Sequence, residues 1–495
     1  MATLRSKAIS GLVWSAVERF GQQAVVFVIQ VILARLLAPE QFGLIAMVVV
    51  FMTLSAVMVD FGFSSALIQR KGVADTELST VFYFNIVISC LMTGVLWLIA
   101  PFVAKFYQLE ELTPILRLLS FRLILGAFGA VQRSILTRKM LFKRLFKVSL
   151  PSTLIGGAVA IVMALQGYGA WALVVQALIQ SLIMSLALWF HSDWHPKLIF
   201  DLQCLKKMFP YSSRLAFSSF IHQGFLNIYI LVIGKAFSVA DLGYFHRARS
   251  LQRLPIENVQ SILGRVTFPL FSSIQDDLPR MKRGMSKALQ LSSICIFPGM
   301  ALLAAIATPL IVVLIGVKWL PSVPYLKWLC LFGAMFPLHS MNVNLLSAIG
   351  RSDLMLRLEL IKKSLILINV FITYRYGILA MIYGMIVTSI LGLIINTYYT
   401  KKFIDYSFMQ QLKDISPMIL LGVGVFTLVS FTQLFGLESN LFSLLIGVVV
   451  AGAVFLLALP FMPEGIRLEI SMFSSRFAFI SRPLSTYLRV QDRSL

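Results

Sequence analysis

The chain is poor in charge. Only 13% of its 495 residues are Asp, Glu, Lys or Arg, whereas 58% are hydrophobic, and the mean hydropathy is +0.86. That balance excludes an ordinary soluble globular protein and indicates a chain that crosses a membrane many times. Acids are the scarcer charge, 21 Asp and Glu against 43 Lys and Arg, for a net charge of +22. In a soluble chain such an excess suggests nucleic acid. Here the bases sit mainly between apolar runs, the pattern of membrane orientation and anionic-lipid contact, so no nucleic-acid partner is expected. The four cysteines, Cys90, Cys204, Cys295 and Cys330, are scattered without a C-x-x-C. That leaves no disulfide framework and no zinc site, and no metal or cofactor is expected. Walker A, H-E-x-x-H and G-x-S-x-G motifs are all missing, which argues against ATP hydrolysis and against zinc- or serine-based hydrolysis. Connections on the side poor in Lys and Arg are short, so a catalytic domain has no room there and the chain is not expected to be an enzyme. The first apolar stretch carries Glu18 and Arg19 and runs too far for a cleaved signal peptide, so it is expected to stay attached.

What is present is a succession of apolar runs. Two of them, from Trp14 to Lys71, are broken at Ala38–Pro39–Glu40, and each exceeds the roughly 20 residues needed to cross a bilayer core. About fourteen spans are expected, near 11–37, 42–68, 80–104, 113–133, 148–166, 169–191, 211–236, 245–272, 288–316, 322–349, 359–376, 378–400, 416–435 and 440–462. Lys and Arg crowd alternate connections, such as Arg133, Arg138, Lys139, Lys143, Arg144 and Lys147, or Arg280, Lys282, Arg283 and Lys287. The alternation places both termini in the cytosol and requires an even number of spans.

The opening pattern returns 200 positions later without a gap. Gln23 matches Gln223, Arg35 matches Lys235, and Gly43 matches Gly243. The alternative is a chance likeness of two apolar stretches. A parallel repeat instead predicts a substrate site between two similar halves. Expected lobes are 1–205 and 206–405, with two further spans in 406–463 and a cytosolic tail over 464–495, which reads as an amphipathic surface helix or as disorder.

Ionisable groups inside spans are costly unless paired or hydrated, so they mark candidate sites. Glu18, Gln22 and Gln30 form a polar stripe, with Arg19 and Gln23 beside it. Arg122, Gly126, Gly129 and Arg133 share one helical face, and Arg249, Arg253 and Glu257 share another, with Arg253 and Glu257 spaced as an i,i+4 pair. Arg214, His222 and Asn227 come from the seventh span, Asp60 from the second, and His339, Asn342 and Asn344 from the tenth. The bland readings are snorkelling arginines and interhelical hydrogen bonds. The functional reading is a hydrated cavity richer in arginine than in acid. Arginine forks fit phosphate oxygens, and amides and hydroxyls fit sugars. The candidate substrate-binding residues are therefore Arg19, Gln22, Gln23, Arg122, Arg214, His222, Asn227, Arg249 and Arg253. Glu18, Asp60 and Glu257 are the acids that could carry a coupling ion.

Several segments carry a resemblance to a known family: LARLLAPEQFGLIAM, DFGFSSALIQRK, VQRSILTRKMLFKRL, GYGAWALV, IGKAFSVADLGYFHRA, GRVTFPLFSSIQDD and NLLSAIGRSDL. The chain resembles oligosaccharide flippases, the polysaccharide-exporter branch of the multidrug/oligosaccharidyl-lipid/polysaccharide exporter superfamily, near the colanic-acid-type Wzx exporters. The likeness runs to about residue 400. It implies an all-α, MATE/MurJ-like fold of two six-helix lobes plus two C-terminal helices. It also implies flipping of undecaprenyl-pyrophosphate-linked repeat units across a bacterial inner membrane, with bilayer lipids, a polysaccharide polymerase and chain-length/export machinery as candidate partners. Family members carry an N-x-D-N element in the seventh span. Here Asn227, Ile228, Tyr229 and Ile230 stand there, so the acid and one amide are lost. Two rivals stay open, a drug-type exporter of the same superfamily and a scaffold in a glycan-assembly complex. The first predicts an acidic cavity, and the second needs no buried polar stripes.

Overall fold

A computed structural model describes residues 2–69, 72–275, 277–434, 439–463 and 467. Arg70, Lys71, Asp276 and the expected tail beyond 463, apart from 467, lie outside the described residues. Among the described residues the regular structure is helical: α1 (Ala2–Leu36), α2 (Pro39–Asp60), α3 (Phe63–Gln69), α4 (Asp75–Tyr107), α5 (Leu112–Arg138), α6 (Phe142–Leu165), α7 (Ala170–His191), α8 (Leu202–Ala236) and α9 (Val239–Ser273). Then come α10 (Leu278–Ala305), α11 (Ala307–Ile315), α12 (Ser322–Ala334), α13 (Phe336–Ala348), α14 (Ser352–Thr373), α15 (Ile378–Ile404), α16 (Phe408–Leu434) and α17 (Asn440–Ala458).

Twelve segments among the described residues are long and apolar enough to span a membrane, with α12 and α13 forming one of them. The count of fourteen expected from the sequence included 245–272 and 359–376. Both regions are helical, in α9 and α14, but they do not meet the apolar criterion that the other twelve meet. The spans are also less continuous than their hydropathy. The span expected over 42–68 stops at Phe61 and Gly62, both at positive φ (47° and 76°), before α3 begins. Gly62 is required there, because a Cβ would stand 3.1 Å from the Ser212 carbonyl oxygen. The span expected over 322–349 breaks at Met335, just ahead of Pro337, which has no amide hydrogen to donate. Large apolar side chains face outward along the helices, including Leu98, Phe102, Phe371 and Val449, each at least 70% exposed. Water would penalise that surface, whereas lipid accepts it.

The chain forms two compact units, 1–246 and 247–495. In the first, α4 and α5 pack together, as do α6 with α7 and α1 with α6. One end is closed by an aromatic core of Phe63, Phe82 and Met208 against Trp189 and Trp194. The connection 192–201 is pinned to α4 through Lys197 N to Ser79 Oγ (3.0 Å), Asp201 N to Thr80 Oγ1 (3.0 Å) and the Lys197–Asp75 ion pair (2.7 Å). Asp201 also caps α8, accepting from Gln203 N at 2.7 Å. In the second unit α10 packs on α16 and α12, and α14 packs on α15. Its core joins Phe271, Met281, Met285, Leu289, Met341 and Ile415.

The 200-residue offset reappears as geometry. α1 ends at Leu36 and α8 at Ala236, and the next helices start at Pro39 and Val239. The start of α2 is closed by the side chain at its third position, and the start of α9 by Ser238, whose Oγ accepts from Asp241 N at 3.1 Å. Gln41 Oε1 accepts from Ala38 N at 2.9 Å, and Asp241 Oδ2 accepts from Ser238 Oγ at 2.7 Å. Gly43 lies under the Val239 carbonyl, where an added Cβ would sit 2.0 Å from the oxygen. Gly243 lies under the Pro39 carbonyl, at 2.1 Å. The crossing, which lies wholly inside the first unit, is reciprocal: each glycine meets the first residue of the other helix.

Both obstacles are backbone atoms that cannot rotate away. Gly43→Ala and Gly243→Ala should therefore each destabilise the detergent-solubilised protein by at least the roughly 1–3 kcal/mol of an overpacked contact. Gly94→Ala, with nothing within 4 Å of its Cβ, should not. Equal thermal stability of all three variants would disprove the tight crossing. At Asp201, hydrogen bonds from Cys204 Sγ and Gln203 N hold the carboxyl below the usual carboxylate range. The carboxylate is thus favoured by folding, and its contribution is full above the ordinary Asp value of about 3.9 and lost as pH falls through the lowered value. The stability gap between Asp201→Ala and the parent should be constant near neutral pH and shrink in acid, which pH-resolved thermal unfolding would read.

Candidate functional site

A cavity of about 700 Å³ opens within the first unit, walled by α1 to α7, with apolar side chains such as Met52, Val59 and Leu123 beside polar ones. α5 supplies its cationic face. Arg122, Gly126, Gly129 and Arg133 recur at steps of four, three and four, and all four line the space. Neither arginine is buried, and their guanidinium groups have open volume beside them. The glycines do different work. A Cβ on Gly129 would meet Leu188 Cδ1 at 2.9 Å and Ser185 Oγ at 3.1 Å, so this glycine lets α7 approach. A Cβ on Gly126 would meet only Ser181 Oγ, at 4.0 Å, so this one leaves the cavity wide.

The other walls mix apolar side chains with neutral polar ones. Gln22 comes from α1, Asn85 from α4, Ser149 and Ser152 from α6, and Gln180, Ser181 and Ser185 from α7. Gln180 is oriented by donating to Thr153 Oγ1 at 3.0 Å, and Ser152 donates to Ser149 O at 2.7 Å. Asn85 is 1% exposed, and its Oδ1 accepts no hydrogen bond from the protein. An unanswered buried amide oxygen is costly. The lining carboxylate is Asp60, which accepts from Ser64 Oγ. Glu18, one turn before Gln22, is within Coulombic reach of Arg133 and Arg19.

Of the residues expected from the sequence, Gln22, Asp60 and Arg122 meet in this cavity. Arg19 and Gln23 are half-buried on α1, outside its lining. Arg214 and His222 are exposed on α8, and Asn227 turns back on its own helix, its Nδ2 donating to Gln223 O at 2.9 Å. The second unit holds Arg249, Arg253 and Glu257, all on α9. Arg253 Nε bonds Glu257 Oε1 at 2.9 Å, the pairing that their spacing suggests. Arg247 is buried over the Trp319 ring at 5.5 Å. Asn85, Gln180 and the serines of α6 and α7 were missed. Their signal was a single amide in an apolar run, or serines four apart facing the α5 glycines.

A family described as "Polysaccharide biosynthesis protein" matches residues 32–324. The chain belongs to this family. Its relatives include the teichuronic acid biosynthesis protein TuaB of Bacillus subtilis, 25% identical over 89% of this chain and 93% of that one. The lipopolysaccharide biosynthesis protein WzxC of Escherichia coli is 24% identical, over 81% and 82%. The succinoglycan biosynthesis transport protein ExoT of Rhizobium meliloti is 27% identical, over 73% of each chain. Among solved structures, the lipid II flippase MurJ in an inward closed conformation aligns with a TM-score of 0.72 at 18% identity, covering 90% of this chain and 98% of that one. An inward-facing MATE multidrug transporter aligns at 0.61 and 16%, covering 80% and 98%. At these identities the likeness establishes the fold: this family member is a multi-pass, all-α membrane protein of the MurJ/MATE type.

The two α5 glycines make a test of the cavity wall. Gly129→Leu should cost about 1–3 kcal/mol, because Leu188 and Ser185 occupy the space. Gly126→Leu should fold normally and fill the cavity instead. Thermal unfolding of both variants checks this, and equal losses would contradict the geometry.

Proposed function

We propose that this chain is a flippase carrying undecaprenyl-pyrophosphate-linked oligosaccharide from the cytosolic to the periplasmic leaflet of a bacterial inner membrane, with both termini cytosolic. The observation that carries the reading is the cavity of the first unit. Arg122 and Arg133 present two guanidinium forks against one carboxylate, and the other walls offer amides and hydroxyls. Guanidinium pairs suit the pyrophosphate, and Gln22, Asn85 and Gln180 suit sugar hydroxyls. Membership of a polysaccharide biosynthesis family supports a glycan substrate, and one relative named for transport supports movement rather than synthesis.

The proposed mechanism is alternating access. The lobes expected from the sequence, 1–205 and 206–405, are its moving bodies, and the lipid tail stays in the bilayer. Arg19, Gln23, Arg214, His222, Asn227, Arg249 and Arg253 remain proposed contacts for other stages of transit. Glu257 is engaged by Arg253, so Glu18 and Asp60 are the better candidates for coupling to an ion. A polymerase and chain-length machinery are the proposed protein partners. The drug-type alternative is weaker, since cationic drugs favour a net acidic cavity.

The test is flipping of a labelled lipid-pyrophosphate oligosaccharide in proteoliposomes, with and without a proton or sodium gradient. Arg122→Gln and Arg133→Gln should each slow flipping about tenfold or more, the scale of a lost charged hydrogen bond. Asp60→Asn should abolish any gradient dependence while leaving gradient-free flipping intact. Unchanged flipping in both arginine variants would end the assignment of this cavity.

A further inference from the structure

A second cavity, of about 410 Å³, lies in the second unit, between the first turns of α10 and the turn that joins α15 to α16. Its lining is Lys282, Arg283, Ser286, Lys287, Gln290, Tyr406 and Asp414, three cations against one carboxylate. None of these residues belongs to the cavity described above.

The carboxylate is occupied from within the protein. Asp414 Oδ2 accepts from Tyr406 OH at 2.6 Å and from Ser286 Oγ. Tyr406 is 2% exposed. Burial and the adjoining Asp414 push its phenol above the ordinary value, which keeps it a donor. Lys282 is held by the Asp405 carbonyl, with the Asp405 carboxylate 3.7 Å away. Arg283 is exposed and, among the described residues, has no hydrogen-bond or ion-pair partner, and Lys287 stands one turn further on the same face. The pocket is therefore built to present positive charge, with its acid held by two hydroxyls.

Its position narrows the ligand. Tyr406 sits in the three-residue turn between Ile404 and Phe408, where two membrane-crossing helices end. Lys401, Lys402 and Lys413 are exposed close by in the chain, and so are the apolar side chains Leu278 and Met409. A cationic hollow at the end of spanning helices, with apolar surface beside it, fits an amphiphile with an anionic head.

From this arrangement we infer that the hollow formed by α10, the α15–α16 turn and α16 binds the phosphate of an anionic phospholipid headgroup. Arg283 holds the phosphate oxygens through its fork and Lys287 contributes a point charge. This site is independent of whatever the chain transports.

The test uses the full chain in detergent and native mass spectrometry with phosphatidylglycerol or phosphatidylcholine. The parent should retain phosphatidylglycerol in preference to phosphatidylcholine. Arg283→Gln should lower that occupancy about fivefold, the scale of one surface cation, and Lys287→Gln should lower it further. Arg283→Lys should restore much of it, which loss of folding would not permit. Arg357→Gln removes an exposed cation elsewhere and should have no effect. Equal occupancy in the parent and in Arg283→Gln would overturn the site. In a parallel thermal-shift arm, inorganic phosphate alone should not match the protection given by phosphatidylglycerol vesicles. If it did, the lipid source would be overturned in favour of a soluble phosphate.

Discussion

Lipid offers no hydrogen bonds, and this constraint governs the molecule. Every polar group carried into the bilayer must be answered by protein, by water in a cavity, or by a ligand. In the first unit the answer is space. α5 brings two arginines inward, and glycines four residues from each arginine, with serines on the facing helix, set the width of the hollow. Gly129 admits α7 and Gly126 leaves open volume beside the arginines, so one helical face both packs the unit and keeps its charge accessible.

Helix ends are answered more locally. The break at Pro39 is closed by the Gln41 amide and its counterpart at Val239 by the Ser238 hydroxyl, which Asp241 in turn holds. The chemistry changed between the two, and the function of closing the helix start did not. The glycine crossing follows the same rule, because both carbonyls need a neighbour without a side chain. A sequence likeness at Gly43 and Gly243 thereby becomes a reciprocal contact, which a chance resemblance of apolar stretches would not produce.

Periodic features could be read from residues alone. The α5 face was legible because four special residues recur at helical spacing, and the Arg253–Glu257 pair was legible for the same reason. Span boundaries were less so. Hydropathy is averaged over many residues, whereas Phe61–Gly62 and Met335–Phe336 end helices through local backbone geometry. α9 and α14 expose the opposite weakness, since repeat and alternation arguments supply them as spans while their own composition is too charged to do so. The cavity walls were hardest. Asn85 is one amide in a long greasy run, and nothing before folding says whether it faces lipid, a partner helix or the arginines. Arg214 and His222 share a convincing face with each other but not with the cavity.

The second unit meets the same constraint in the opposite way. Asn342 and Gln411 exchange hydrogen bonds through their amides, at 2.9 and 3.1 Å, and Thr400 donates to the same Asn342 oxygen. His339 lies between Ser389 at 2.8 Å and Asn396 at 3.2 Å. These groups are buried and mostly answer one another, so they fix how α13, α15 and α16 pack and leave little for a ligand to gain. A cavity lined by two exposed arginines, with open volume beside them, has the reverse character. Binding free energy is available only where the protein has not already satisfied its own polar groups. By that criterion polarity alone does not mark a substrate path in a membrane helix bundle. The discriminating quantity is polarity beside open volume, which separates the α5 wall from the Asn342 network although both consist of polar residues in apolar helices.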